Sequence, residues 1–331
     1  GGGPEGCHTQ HTHKWGVGPY IEGLFSQSNL GLVTRAGIWL LPKPEAFNFF
    51  VCELRRDEDF PRYLDAVREL ALDRVIGNVH CFNPFLMLSP RIRYPYGKRS
   101  AGESRLTPSQ IQELADEQGI APWTMVCGLY GTSDMVRASR KRVKSKLGRY
   151  ARITFVDDRK MAAVRKAVKL LRWSSGRKLI HDVVKRLMKL ALYGGSVESL
   201  YTLPEVYDYH KGVPGDYVVK AAYFKSGKQP DGGGIDPAKH GCGIKWLAPI
   251  IPATGEHAAK LRTAVGRLFE KHGFEFPLSV IMLNPRTVIF ALPLFFNKDD
   301  PDESARVDLL YDELVELIEV IERRVVVAVV Q

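Results

Sequence analysis

Residues 18–42 read Gly-Pro-Tyr-Ile-Glu-Gly-Leu-Phe-Ser-Gln-Ser-Asn-Leu-Gly-Leu-Val-Thr-Arg-Ala-Gly-Ile-Trp-Leu-Leu-Pro, and this stretch is the most informative part of the chain. A polar turn that contains Gly23 and Gly31 runs directly into an apolar stretch from Leu32 to Leu41. The turn offers hydroxyl groups, amides and backbone N–H groups, and its glycines let the main chain approach a bound group closely. The apolar stretch is rich in branched residues and predicts a buried strand. Polar backbone at the end of a buried strand is a common way to hold a flat cofactor that bears phosphate groups.

The bulk composition is that of a globular protein. The chain has 331 residues, of which 45% are hydrophobic and 25% charged, enough for one large domain or two ordinary ones. No apolar run approaches the ~20 residues of a membrane-spanning helix, and no signal-peptide pattern is present. Five cysteines without a Cys-x-x-Cys motif favour reduced thiols in a cytoplasm, with the periplasm as the open alternative.

The positive charge is concentrated in one block. The formal net charge is +10, but residues 137–189 hold nineteen Lys and Arg against three Asp, a net charge of +16. The rest of the chain therefore carries −6. Such density could bind nucleic acid or an acidic partner. The basic residues share helices with apolar residues such as Val143 and Val164, as solvated helix faces do, so nucleic acid is disfavoured and an acidic redox partner is the better expectation.

Alternating strand and helix patterns predict an α+β domain, an antiparallel sheet with helices on one face. The predicted strands are Phe49–Leu54, Trp123–Tyr130, Ile153–Val156, Ile244–Ile251, Leu278–Leu283 and Thr287–Phe296. The predicted helices are Pro61–Asp73, Pro108–Gly119, Thr132–Gly148, Arg159–Trp173, His257–His272 and Asp302–Arg324. Thr107 and Gln110 form a predicted capping box, whereas residues 174–243 show no clear pattern.

The sequence of residues 18–42 resembles the last part of the FAD-binding domain in the vanillyl-alcohol oxidase and para-cresol methylhydroxylase family. The similarity continues through Leu114–Gly131, Trp246–Gly255 and Phe296–Lys298, so it spans nearly the whole chain. The resemblance implies a remnant of an FAD-binding domain in residues 1–41 and a substrate or cap domain of doubled ferredoxin-like type in residues 42–331. Both ends look cut, since the family's flavin domain has parts on either side, and we expect an incomplete fragment that is inactive by itself.

The resemblance also implies residues that contact FAD. Tyr20, Gln27, Ser28 and Asn29 match the family's flavin-contact stretch residue by residue. The alternative for these residues is a turn that its own side chains stabilise.

Some members of the family carry FAD covalently, and two linkages are considered. The vanillyl-alcohol oxidase branch has a histidine where this chain has Ile244, which has no nucleophile. The methylhydroxylase branch uses a tyrosine, and Tyr223 lies within one residue of that position, although a strand tyrosine usually just packs. His240 and Cys242 lie near but match neither position. We expect non-covalent FAD or a Tyr223 ether, and favour the former.

The match to the family is less complete at the residues that line the substrate pocket. Trp246 matches an aromatic wall of the family's substrate pocket, and Ala291 and Leu292 fall where apolar pocket residues lie. An aromatic residue in a strand is more often core. The family's His-His pair is replaced by Val288-Ile289-Phe290, which weakens any inference about the substrate.

The implied activity is hydride transfer from a para-substituted phenol or aromatic alcohol to FAD, with a phenolate held by Tyr and Arg groups after residue 331. The implied partners are a small aromatic substrate and a redox protein such as a cytochrome, and a homodimer is compatible with the family. Two alternatives stay open: an FAD-linked 2-hydroxy-acid dehydrogenase of the same architecture, and a non-catalytic binding domain that uses residues 137–189. His8, His11 and His13 have no carboxylate partner, so solvated histidines are expected there rather than a metal site.

Overall fold

The computed structural model describes residues 8, 18, 21–26, 28–94, 105–173, 182–183, 186, 197–216, 218–226, 234–322 and 327–330. Contacts divide the chain into two units, Gly1–Pro44 with Val330, and Glu45–Val329 with Gln331. The first unit contains a 3-10 helix at Ile21–Phe25, and residues 31–44 have no regular secondary structure. The assignment of residues 1–41 to a flavin-binding domain and of residues 42–331 to a cap domain stays a prediction.

The second unit is built on one antiparallel sheet. Its strands are β1 (Ala46–Leu54), β2 (His80–Phe82), β3 (Thr124–Gly131), β4 (Ala151–Val156), β5 (Cys242–Pro252), β6 (Ser279–Asn284), β7 (Thr287–Asn297) and β8 (Val327–Val330). Their order across the sheet is β4-β1-β3-β2-β6-β7-β5-β8.

Eight α-helices connect or flank these strands in the described part of the chain. They are α1 (Phe60–Leu72), α2 (Pro84–Leu88), α3 (Pro108–Glu117), α4 (Ser133–Leu147), α5 (Asp158–Trp173), α6 (Val197–His210), α7 (Gly255–Lys271) and α8 (Pro301–Glu322). Short 3-10 helices form at Asp57–Asp59 and Val218–Tyr223. None of the described helices has the length and apolar character needed to span a membrane.

The order of strands shows that the sheet is a doubled structure. The first half, β1-α1-β2-β3-α4-β4, has the order 4-1-3-2, which is the ferredoxin-like arrangement. The second half, β5-α7-β6-β7-α8-β8, repeats this order in the opposite direction across the sheet. The halves join where His80 of β2 pairs with Ile281 of β6. The predicted α+β class and its doubled ferredoxin-like character are confirmed.

The larger helix layer lies on one face of the sheet, as predicted. Helices α1, α4, α7 and α8 bury residues such as Leu64, Val143, Leu261 and Leu310 against strand residues that include Cys127 and Leu292. The structure adds a smaller layer on the opposite face, where α5 and α6 pack on β1 and β3. This second core contains Phe49, Val51, Val126, Val156, Met161, Val164, Val168, Leu171, Leu203, Val206 and Tyr207.

Local sequence signals set most element boundaries. Thr107 accepts a hydrogen bond from the backbone N–H of Gln110, whose side chain accepts from the backbone of Thr107, so the predicted capping box is confirmed. The Thr132 side chain caps α4 by accepting a hydrogen bond from the backbone N–H of Met135, and Gly119 ends the α3 region with a φ of +62°.

The strand predicted after the polar turn is wrong. Leu32, Ile38 and Trp39 are 96%, 79% and 71% exposed, and residues 31–44 form no strand. A strand is held by hydrogen bonds to a neighbouring strand, and the described residues of Gly1–Pro44 contain no other strand. Apolar composition alone therefore did not produce the predicted element.

Candidate functional site

The open face of the central strands bears a cavity of about 450 Å³. Side chains of a strand alternate between the two faces of a sheet. His80, Trp246 and Phe295 therefore face the cavity, whereas their neighbours Cys81, Leu247 and Leu294 belong to the core under the larger helix layer. The cavity volume lies in the range of small-molecule sites, about 300–1,000 Å³.

Two insertions in the doubled fold form the opposite wall of the cavity. The first insertion follows β2 and contributes Leu86, Met87 and Pro90. The second lies between β4 and β5 and contributes α6 and the 3-10 helix at Val218–Tyr223. The strands of the two ferredoxin-like halves thus form one wall of the cavity, and the inserted segments form the opposite wall.

The cavity wall is largely apolar, with a few polar groups. The lining residues are His80, Phe82, Leu86, Met87, Pro90, Val126, Val206, Tyr209, His210, Val219, Ala221, Ala222, Pro237, Ile244, Trp246, Ser279, Ile281, Pro293 and Phe295. These lining residues, all from the described part of the chain, contain no Lys, Arg, Asp or Glu. A wall of this composition suits an uncharged, mainly apolar or aromatic ligand.

Helix α6 supplies the polar end of the cavity. Its last turn is fixed on the sheet by Tyr130, whose hydroxyl donates to the carbonyl oxygen of His210 at 2.7 Å. Tyr207 donates to Asp158 at 2.8 Å, and Gly212 with a φ of +79° ends the helix. These contacts orient Tyr209 and His210 along the cavity wall.

Two neutral histidines lie side by side at this end. The His80 and His210 ring centroids are 6.0 Å apart. Burial, and secondarily the neighbouring His210, lowers the pKa of His80 to about 4. Burial also lowers the pKa of His210, against the opposing effect of its hydrogen bond to Val206. Both rings therefore remain uncharged near neutral pH.

The sequence did not predict this histidine pair. Leu203, Val206, Tyr207 and His210 recur at the i, i+3, i+4, i+7 spacing of an amphipathic helix, which is a signal that could have located α6. Pro204 lies inside the helix and interrupts the pattern. His80 lies in a three-residue strand, too short for any periodicity.

The three residues predicted to line the substrate pocket do not all lie on the cavity wall. Trp246 lies on the cavity wall, next to Ile244 on the same face of β5. Leu292 faces the opposite side and is fully buried in the core under the helices. Ala291 is fully buried and pairs with Ser279, a cavity residue. As substrate contacts, these three residues remain predictions.

The residues predicted to contact FAD are described only in part. Tyr20 and Gln27 lie outside the described residues. Ser28 and Asn29 are exposed, and the Ser28 hydroxyl donates to the Leu24 carbonyl oxygen within its own turn. This bond belongs to the turn that its own side chains stabilise, yet Asn29 keeps an exposed amide that suits a ligand contact.

Tyr223 is fully buried, and its hydroxyl is engaged on two sides. The hydroxyl accepts from the Asp236 N–H at 2.8 Å and lies 2.7 Å from His240 Nδ1. The ring packs with Ala222 and Cys242. Ether formation with a flavin would require both hydrogen bonds to break and the ring to leave this cluster.

The described residues contain no group of three or more His, Cys, Asp or Glu that could hold a metal ion. Of the three N-terminal histidines His8, His11 and His13, His8 lies in the described part of the chain, where it is exposed, and His11 and His13 lie outside it. Cys52, Cys81, Cys127 and Cys242 are buried free thiols.

A doubled ferredoxin-like sheet is the fold that the family resemblance implied for this chain. Comparison with solved structures supports this class. The chain superimposes on p-cresol methylhydroxylase with bound substrate at a TM-score of 0.71 and 21% identity, covering 95% of this chain and 51% of that one. It also superimposes on 4-ethylphenol oxidase from Gulosibacter chungangensis, in complex with isoeugenol, at a TM-score of 0.67 and 19% identity, with coverage of 95% and 51%.

Sequence comparison supports the same resemblance. The chain is 29% identical over 312 residues to 1'-carboxy-chondrochloren decarboxylase of Chondromyces crocatus, covering 93% of this chain and 54% of the relative. It is 23% identical over 318 residues to the 4-cresol dehydrogenase flavoprotein subunit of Pseudomonas putida, covering 96% and 51%. No protein-family model matches. The resemblance to the vanillyl-alcohol oxidase and para-cresol methylhydroxylase family is therefore confirmed, and the chain spans about half the length of these relatives.

Proposed function

We propose that this chain is the substrate-binding part of an FAD-dependent oxidoreductase that acts on a para-substituted phenol or an aromatic alcohol. The observation that carries the proposal is the cavity of about 450 Å³, lined by aromatic and aliphatic side chains and free of charged residues among those described. Bound FAD would supply the hydride acceptor. Trp246, Phe295 and Phe82 would orient the aromatic ring of the substrate and exclude water from it.

The cofactor is proposed to bind without a covalent link. Ile244 has no nucleophile, and the Tyr223 hydroxyl is buried between Asp236 and His240. Ile244 lies on the cavity wall beside Trp246, at the position where one branch of the family has its flavin-linking histidine. We infer that FAD approaches the cavity from this side. Separately, a contact between Asn29 and FAD stays a prediction from the family resemblance.

The 2-hydroxy-acid alternative receives no support from the cavity. A substrate carboxylate needs Arg or Lys, or paired cationic histidines, and the described lining contains neither Arg nor Lys. His80 and His210 are neutral because burial lowers the pKa of each.

The alternative of a nucleic-acid-binding module is also weakened. Several basic residues of α4 are paired with acidic side chains: Arg137 with Asp134, Arg142 with Asp73, and Lys146 with Glu69. An acidic redox partner stays the better proposal for this surface, and one relative is named as the flavoprotein subunit of its enzyme. A homodimer stays a prediction.

An anaerobic reduction experiment tests the proposed function. The full-length flavoprotein, of which this chain is proposed to be the substrate-binding part, is mixed with 4-ethylphenol or with L-lactate, and the flavin absorbance is followed by stopped-flow spectroscopy. We expect 4-ethylphenol to bleach the oxidised flavin and lactate to leave it unchanged. Bleaching by lactate alone would favour the hydroxy-acid dehydrogenase alternative.

A further inference from the structure

The cavity is longer than a single substituted ring. Trp246, at one end, pairs with Pro293 of β7. His80, at the other end, pairs with Ile281, which in turn pairs with Ile289 of β7. Trp246 is therefore three strands and four residues away from His80. At about 4.8 Å per strand and about 3.4 Å per residue, the two positions lie about 20 Å apart on the sheet face.

The volume of the cavity leads to the same conclusion. It is about 450 Å³. Even at about 30 Å³ per non-hydrogen atom, the share of a water molecule in the liquid, the nine such atoms of 4-ethylphenol would take about 270 Å³. A substrate that fills the cavity therefore has a longer substituent than a simple alkylphenol.

The end of the cavity away from Trp246 carries two accessible polar side chains, His80 and Tyr209, which we call the polar end. Tyr209 is 45% exposed and His80 is partly exposed, and both line the cavity. Their ring centroids lie 6.4 Å apart. Among the described residues, none forms a hydrogen bond with the His80 ring or the Tyr209 hydroxyl. A ligand can therefore reach both groups and provide their missing partner.

The chemistry of the polar end determines which group fits there. Burial lowers the pKa of His80 to about 4, so its ring is neutral near pH 7. A neutral imidazole donates from one nitrogen and accepts at the other, and a tyrosine hydroxyl does both. The described lining contains no charged residue that could balance a carboxylate or an ammonium group. The polar end therefore suits an uncharged group that forms hydrogen bonds, such as a hydroxyl or an amide.

The orientation of the substrate follows from its own charge. A phenolate oxygen needs a cation nearby, and the described lining contains neither Lys nor Arg. FAD is proposed to approach beside Ile244, which is next to Trp246 on the same face of β5, so the reacting carbon belongs near Trp246. The polar end is therefore left for the far end of the substituent rather than for the phenol group.

Resting on the proposed function, we propose that the substrate is an aromatic compound with an extended para substituent, whose far end carries an uncharged hydrogen-bonding group that His80 and Tyr209 bind. The aromatic ring lies between Trp246 and Phe82, and the substituent runs along the sheet face to the polar end. His80 and Tyr209 are thus determinants of substrate specificity, at a distance from the reacting carbon.

Calorimetric titration of the 331-residue chain tests the proposal with two probes of equal length. The first is 4-(6-hydroxyhexyl)phenol, and the second is 4-heptylphenol, in which a methyl group replaces the terminal hydroxyl. We expect the hydroxylated probe to bind the wild-type chain at least as tightly as 4-heptylphenol. It should bind about tenfold or more tightly than 4-ethylphenol, because four further methylene groups leave water.

A double variant, His80→Leu with Tyr209→Phe, removes the hydrogen-bonding groups of the polar end. The affinity of the hydroxylated probe relative to 4-heptylphenol should fall about tenfold, since its hydroxyl group is then buried without a partner. Binding of 4-heptylphenol by the same variant shows that the variant is folded. The matched control is Ser279→Ala, which changes another polar residue of the cavity wall and should leave the ratio of the two affinities unchanged.

The outcomes separate this proposal from the proposed function. If 4-ethylphenol binds as tightly as the two longer probes, the aromatic cavity stands and the extended substituent is wrong. If the double variant weakens both long probes equally, the phenol group lies at the polar end, and the proposed orientation is wrong. If the ratio of affinities does not change in the double variant, the hydroxyl is held elsewhere and the proposal is again wrong. If no phenol binds, the proposed function falls as well.

Discussion

At the scale of single residues, the Tyr223 hydroxyl connects a prediction made from sequence to a contact that only the structure reveals. The sequence placed Tyr223 near a flavin-linking position, but it could not show that the ring would be buried beside Cys242. The two hydrogen bonds, to Asp236 N–H and His240, depend on a loop whose pattern is not legible in sequence. A nucleophile with this burial is poorly placed to react.

Acid precipitation of the full-length flavoprotein tests this interpretation of Tyr223. We expect the flavin in the supernatant, because Ile244 has no nucleophile and the Tyr223 hydroxyl is hydrogen-bonded to Asp236 and His240. If flavin is found in the pellet and Tyr223→Phe releases it, the tyrosyl ether is correct and the buried hydroxyl must become accessible on flavin binding. Flavin that stays in the pellet of the Tyr223→Phe variant would point to His240 or Cys242.

The second residue-scale prediction concerns pH. Because the pKa of His80 is lowered to about 4 in the folded chain, the unfolded chain binds a proton first as the pH falls. The free energy of unfolding should therefore decrease from about pH 6.5, the ordinary histidine value, down to the folded pKa of about 4, by at most about 1.4 kcal/mol per pH unit. His210, whose pKa is also lowered, adds to this effect.

Urea unfolding measured at several pH values checks whether the free energy of unfolding falls with pH as expected, and whether His80 causes the decrease. The His80→Leu variant should show a shallower decrease of stability between pH 6.5 and pH 4 than the wild type, since it has one fewer buried base. Equal slopes in the two proteins would show that His80 does not carry the effect.

At the scale of elements, the start of α7 packs unusually closely on the start of α1. The backbone N–H of Gly255 donates to Asp65 at 2.8 Å. A Cβ atom built on Gly255 would lie 2.1 Å from the carbonyl oxygen of Pro61. Because this neighbour is backbone rather than a flexible side chain, the two helices would have to separate.

Two glycine substitutions in the same helix should therefore have opposite effects. We expect Gly255→Ala to lower the free energy of unfolding by about 1–3 kcal/mol or more, as overpacking does. Gly266→Ala should raise it by about 0.5–1 kcal/mol, because its Cβ would meet Phe276 at an ordinary 3.5 Å and alanine favours the helix. Chemical denaturation of both variants decides the matter, and destabilisation by Gly266→Ala equal to that by Gly255→Ala would refute the close-packing argument.

A cluster of three buried charged side chains, Lys225, Glu275 and Glu303, connects several elements of the fold. Lys225 lies 3.1 Å from Glu275 and 3.3 Å from Glu303, and all three side chains are at least 93% buried. Glu303 in turn accepts from the backbone N–H of Asn297 at the end of β7, and Glu275 from that of Leu106. The cluster ties α8 and the segment before α3 to the turn after the 3-10 helix that lines the cavity.

Removal of the lysine should be costly. We expect Lys225→Met to lower the free energy of unfolding by about 3–5 kcal/mol, since two buried carboxylates lose their cation. The matched control is Lys239→Met, whose side chain is 82% exposed and pairs with Asp236, and a change below about 1 kcal/mol is expected there. Thermal or urea unfolding gives both values, and similar small changes in the two variants would contradict a structural role for the cluster.

The elements show which features local sequence determines. The α7 helix, the β6–β7 hairpin and the α3 capping box were all predicted, because each depends on periodicity or on a side chain within a few residues. The apolar stretch 32–41 was wrongly predicted as a strand, because strands require a partner that periodicity does not reveal. Helix α6 was missed because Pro204 disrupts its pattern.

At the scale of the whole molecule, the sheet is a repeat that the sequence does not display. The two ferredoxin-like halves follow the same order of elements, yet no repeat was visible in the residues. The cavity could not be predicted from the sequence either, because its wall combines five strands of both halves with two insertions far apart in the chain. Of the residues that line it, Trp246 was predicted to line a substrate pocket, and that prediction came from the family resemblance.

We infer that the cavity on the open sheet face binds an aromatic ligand, and a substitution that fills the cavity tests this inference. Ile281 lines the cavity in the middle of β6, whereas Leu283, two residues further along the chain, is 50% exposed and is not among the cavity's lining residues. The measurement is calorimetric titration of 4-ethylphenol into the wild-type chain, Ile281→Trp and Leu283→Trp. We expect one binding site per chain in the wild type and in Leu283→Trp, and none in a folded Ile281→Trp variant. Unchanged binding in Ile281→Trp, or no binding in the wild type, would contradict it.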